Sequence, residues 1–85
     1  MYRVFYKKSV ERDLRRLDTP VARRILDSIE TDLAADPFGN PVLRGQFAGL
    51  RRCRVGDFRI IYAILGDDIV ILRVSHRKDV YQSRG

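Results

Sequence analysis

The chain has 85 residues, 45% hydrophobic and 33% charged, which suits one globular domain (residues 1–85) and excludes a disordered polymer. No apolar run approaches the length that a membrane helix needs, and the single cysteine, Cys53, excludes an internal disulfide. With no apolar signal region at the N-terminus, this points to a reducing, cytoplasmic setting and no membrane partner.

The net charge is +6 and it is unevenly placed. Residues 1–36 hold eight Lys/Arg against seven Asp/Glu, whereas residues 37–85 hold nine against four. A basic half beside a balanced half suits an anionic partner, most simply a nucleic acid; a generic solubilising surface is the plain alternative.

"YRVFYK" is aromatic and β-branched and predicts a first strand. Ser9 is placed to cap a helix bearing Val10, Leu14 and Leu17 at helical spacing. Thr19 and Pro20 then predict the cap and first residue of a second helix, with a stripe of Ala22, Ile25, Leu26, Ile29 and Leu33. "ADPFGNP" ends it. Residues 42–48 read as a connection or short strand. Residues 50–55 and 58–65 predict a hairpin turning at Gly56-Asp57. "IVILRVSHR" predicts a last strand, apolar enough to be central in the sheet. The expected architecture is α+β in two layers: an N-terminal helical hairpin packed on one face of a small, mainly antiparallel sheet.

Strand alternation then divides the hairpin. Phe58, Ile60, Tyr62 and Ile64 fall on one face with Cys53 and Val55; Arg52, Arg54 and Arg59 fall on the other. In the last strand, unbroken alternation puts Val70, Leu72, Val74 and His76 together and Ile71, Arg73, Ser75 and Arg77 opposite. Helices can cover one face only, so the arginines would form the uncovered one. Guanidinium groups stay charged and present a planar fork to phosphate oxygens. Metal-free RNA cleavage needs, besides that charge, a base for the 2′-hydroxyl and an acid for the 5′-oxygen. Tyr81, beside Arg73, Arg77 and Lys78, and the lone His76 are the titratable candidates near the last strand. The residues alone favour nucleic-acid binding, with RNA cleavage the second reading. The lone His and Cys offer no zinc set, and no cofactor is expected.

The stretches "LRGQFAGLRRCRVGDFRIIYAI" and "VILRVSHRKDVY", in this order behind a strand and a helical hairpin, resemble the RelE/ParE toxin superfamily, the RelE branch in particular. The resemblance implies a type II toxin–antitoxin toxin that enters the 70S ribosome and cuts mRNA in the A site. The 2′-hydroxyl would attack and a 2′,3′-cyclic phosphate would form. It implies a RelB-like antitoxin as partner. Carried over by position, the catalytic set is Arg52, Arg54, Arg59, Arg77 and Tyr81, with Tyr81 the proposed base and the cations stabilising the pentavalent phosphate. Arg44, Arg51, Arg73 and Lys78 would add RNA contacts, and His76 is a reserve acid or base. The first hairpin strand carries Arg52 and Arg54 where many relatives have lysines, which keeps phosphate binding but offers no lysine proton donor. A ParE-like gyrase inhibitor on the same fold, or a non-catalytic member that binds RNA or antitoxin, are the alternatives.

Overall fold

The structure is a computed structural model that describes residues 2–45 and 49–78. Strand β1 (Arg3–Tyr6) leads into helices α1 (Lys8–Arg15) and α2 (Thr19–Ser28), and a π-helical turn, Ile29–Leu33, prolongs α2. After a 3₁₀ turn at Pro37–Gly39 come β2 (Arg51–Val55), β3 (Phe58–Leu65) and β4 (Asp68–His76). The sheet order is β1-β4-β3-β2. β1 pairs with β4 in parallel; the other two ladders are antiparallel. The apolar last strand is therefore central, as its composition implies.

The helical hairpin covers one face. Val10 of α1 and Ile25, Ile29 and Leu33 of α2 and its extension meet Ile60, Tyr62, Ile69, Ile71 and Val74 in the core. Val21 reaches this cluster one turn before Ile25; Ala22 and Leu26 are half-buried. Full burial of each large aliphatic side chain contributes roughly 1.5–3 kcal/mol. Tyr62 adds a polar lock. Its hydroxyl donates to Pro37 O at 2.7 Å and accepts from Asn40 Nδ2 at 3.1 Å. The chain leaving the helices is thereby tied to the middle of the sheet. Burial pushes the Tyr62 pKa up.

Both expected caps move. α1 begins at Lys8, with Lys7 in the cap position, so Ser9 lies inside the helix. The Ser9 hydroxyl donates to Leu72 O at 2.7 Å instead. Asp18 takes the cap position of α2, which leaves Thr19 and Pro20 in its first turn. Val42 makes an isolated bridge with Arg51, so the predicted connection does touch the sheet. Residues 46–48 of it lie outside the described residues.

The alternation of β4 is broken. Ile61 pairs with Arg73 and Tyr62 with Ile71, so Leu72 is the extra residue of a β-bulge. Ile69, Ile71 and Val74 all point into the core. The expected grouping of Val70 and Leu72 with Val74, and of Ile71 with Arg73, is corrected accordingly. A bulge adds one residue and inverts the parity of everything before it relative to everything after it.

α1 explains where the bulge sits. β1 pairs with β4 only as far as Ile71, and beyond it the β4 edge would face solvent unpaired. There Lys7 N–H donates to Ile71 O, Ser9 to Leu72 O, and Val74 N–H to Asp13 Oδ2 at 2.9 Å. Asp13 also pairs with Arg73, at 3.0 Å from Nε. Side chains of a helix thus close an edge that a strand leaves open.

Candidate functional site

The uncovered face of the sheet has two ends of different character. One end is basic. Arg54 is the cross-strand partner of Arg59, and Arg52 the partner of Ile61. Direct partners have Cβ atoms about 4.5–5.5 Å apart and diagonal neighbours about 7–8 Å, so Arg52, Arg54 and Arg59 form one group. Ser75 stands beside Arg59 on β4. Arg77 follows at the hairpin tip, its N–H donating to Asp57 O at 2.8 Å. Among the described residues the ion pairs are Arg3–Asp68 and Arg73–Asp13, so none of Arg52, Arg54, Arg59 and Arg77 has a carboxylate partner there.

Arg59 is the centre of this group. Its Nε is buried and has no hydrogen-bond partner among the described residues. A buried donor left unsatisfied costs about 1–3 kcal/mol, an expense an anionic ligand would offset.

The opposite end of the face is apolar. Phe5 pairs with Val70, and Val70 with Ala63, so the three share that face; Leu65 lies beyond them. Phe5 is 48% and Leu65 63% exposed.

The other candidate residues are placed as follows. Arg51, the partner of core-facing Tyr62, is on the opposite parity to Arg52. Its guanidinium donates to Asn40 O at 2.6 Å and lies over the Phe38 ring at 5.2 Å. Arg73 shares the open face at the bulge and holds Asp13. Arg44 and Lys78 are exposed. His76 is the partner of Phe58, on the helix side of the sheet, with the two rings edge to face at 5.1 Å. Its Nδ1 accepts from Lys78 N–H at 3.1 Å. The structure therefore does not bring His76 onto the arginine face. Tyr81 lies outside the described residues. Cys53 is half-buried under the sheet, and burial, then nearby Asp32, pushes its thiol pKa up. Asp13 and Asp57, which hold the β4 bulge and the Arg77 backbone, carry no periodic signal and are not legible in the sequence.

Residues 4–81 match the ParE toxin of type II toxin–antitoxin systems, parDE. The chain is 36% identical to the toxin RelG of Mycobacterium tuberculosis, across 95% of this chain and 97% of that one. It is 32% identical to the toxin RelE of the same organism, across 95% and 87%. The toxin–antitoxin complex RelBE2 from M. tuberculosis superposes with a TM-score of 0.84 at 32% identity, covering 89% of this chain and 98% of that one. The intact Escherichia coli RelBE complex shares the fold, with a TM-score of 0.74 at 15% identity, covering 89% of this chain and 96% of that one. The chain belongs to the RelE/ParE superfamily of type II toxin–antitoxin toxins.

Proposed function

We propose that this toxin is a ribosome-dependent endoribonuclease that cuts mRNA in the A site and so stops translation in the cytoplasm. The observation that carries the reading is the Arg52/Arg54/Arg59 group, with the buried, unpaired Nε of Arg59 at its centre. Like charges placed directly across a ladder are destabilising by themselves. A phosphodiester between them relieves the repulsion. Similarity to the toxins RelG and RelE supports the RelE branch over a gyrase poison.

In the proposed reaction the mRNA 2′-hydroxyl attacks its own 3′-phosphate. Tyr81 takes the hydroxyl proton as its phenolate, a form that cations near it in sequence, Arg77 and Lys78, would favour. Arg52, Arg54, Arg59 and Arg77 carry the charge that builds on the pentavalent phosphate, the place where electrostatic preorganisation acts most strongly. The 5′-oxygen leaves and takes its proton from water, and a 2′,3′-cyclic phosphate remains. The guanidinium groups supply the positive charge, so the scheme requires no metal. The ribosome presents the strand and contributes orientation that the open, shallow face does not give by itself.

The neutralising partner is a RelB-like antitoxin. Several of the similar toxins are solved as RelB–RelE complexes, including one from Methanococcus jannaschii. A segment that is acidic over the arginine end and apolar over Phe5, Leu65 and Val70 complements this face in charge and in hydropathy.

The test is expression without antitoxin, followed by mapping of mRNA 5′ ends and of chromosomal breaks. Cuts at A-site codons support the reading. Double-strand DNA breaks with intact mRNA establish the gyrase alternative instead.

A further inference from the structure

Arg77 stands where β4 ends, and two hydrogen bonds fix the chain there. Its own N–H donates to Asp57 O at 2.8 Å, which ties it to the hairpin tip between Arg54 and Arg59. The next N–H, that of Lys78, donates to His76 Nδ1 at 3.1 Å. Arg77 and Lys78 take up helical backbone at this point, so the Lys78 amide has no partner four residues back in a helix. The imidazole supplies the acceptor. The ring also packs edge to face with Phe58, whose own neighbour in β3 is Arg59.

We propose that His76 is a positioning residue for the cleavage site: its Nδ1 caps the Lys78 amide and holds the turn that carries Arg77 against the hairpin tip. The inference rests on the RNA-cleavage reading above. It gives His76 a task that does not require a place on the arginine face. A neutral ring whose Nδ1 accepts a backbone N–H carries its proton on Nε2.

Two substitutions separate this role from ring packing. His76→Leu keeps an apolar body beside Phe58 and removes the acceptor. His76→Asn loses the ring but can accept the N–H two residues on, as in an Asx turn. In cleavage of mRNA on purified 70S ribosomes, His76→Leu is expected to lower kcat about 10- to 100-fold, the scale of a displaced catalytic group. KM should stay within about twofold, because the remaining arginines still bind the strand. His76→Asn is expected to recover most of the missing kcat. Thermal unfolding of both variants should confirm the fold.

The independent readout is the ¹⁵N spectrum of the His76 ring in the free wild-type toxin, which needs no activity. The Nε2–H tautomer, with slow exchange of the Lys78 amide, is expected. A wild-type rate for His76→Leu overturns the inference, as does His76→Asn cutting no better than His76→Leu, or an Nδ1–H tautomer. A wild-type toxin that makes no ribosome-dependent cut overturns the cleavage reading itself, and the role in cleavage falls with it.

Discussion

Arg54 lies directly across the β2–β3 ladder from Arg59, and neither has a carboxylate partner among the described residues. On a sheet face that only needs to be wet, one of the two would be better as a threonine or a glutamate. The pair therefore sets stability against function, and the two can be measured separately. Arg54→Ala should leave the free toxin as stable as before or more stable, by up to about 1 kcal/mol in urea unfolding. Binding to single-stranded RNA should weaken, and the slope of log K against log salt should flatten by about 0.7 for each phosphate that the variant no longer neutralises. A drop in stability with unchanged RNA binding would show that the pair serves the fold.

Tyr62 offers the opposite contrast. Its hydroxyl serves Pro37 O and Asn40 beneath the sheet, on the opposite face from Arg52, Arg54 and Arg59. Tyr62→Phe should cost about 1–3 kcal/mol, because a buried carbonyl is left without its donor. RNA cleavage at low temperature, where the variant remains folded, should be unchanged.

Asp13 is the residue on which the geometry of β4 depends. It accepts from Val74 N–H and from Arg73, and its side chain is only 10% exposed. Asp13→Ala leaves the Val74 amide and the Arg73 guanidinium without this partner. Destabilisation by about 1–3 kcal/mol is expected, together with faster hydrogen exchange at the Val74 amide than at Ile69, which pairs inside the sheet. Asp13→Asn, which keeps one acceptor oxygen, should fall between wild type and alanine.

The alkaline limb of stability follows from the buried acids. Burial raises the Cys53 thiol above its ordinary 9.0 and the Tyr62 phenol above its ordinary 10.0, and Tyr6 is raised as well by burial and by its bond to Glu30. In each case the unfolded chain gives up its proton first. The stabilisation is thus complete below the ordinary value and is lost as pH rises toward the folded one. Stability should hold up to about pH 9 and fall above it. Cys53→Ala should remove the earliest part of that fall, whatever its constant cost to packing.

The hairpin is legible in the sequence because nothing interrupts it. A Gly-Asp turn between two alternating runs fixes the register, and register fixes which side chains share a face. Alternation alone therefore groups Arg52, Arg54 and Arg59. β4 cannot be read this way. Its bulge at Leu72 is set by Ser9 and Asp13, some sixty residues away in the chain, through hydrogen bonds that no local pattern encodes. The same bond draws Ser9 away from the cap position. Arg51 differs from both: alternation already sets it on the side opposite Arg52 and Arg54, and in the structure it meets Asn40 and Phe38.

The most direct test of the central claim, that the arginine face is a phosphate clamp used for cutting, is single-turnover cleavage of mRNA in the A site of purified 70S ribosomes by wild type and Arg59→Ala. Wild type is expected to cut in a ribosome-dependent manner and to leave a 2′,3′-cyclic phosphate end, with a rate at least about a hundredfold lower for Arg59→Ala, the scale for removal of one preorganised donor. Equal rates for the two proteins would contradict the claim.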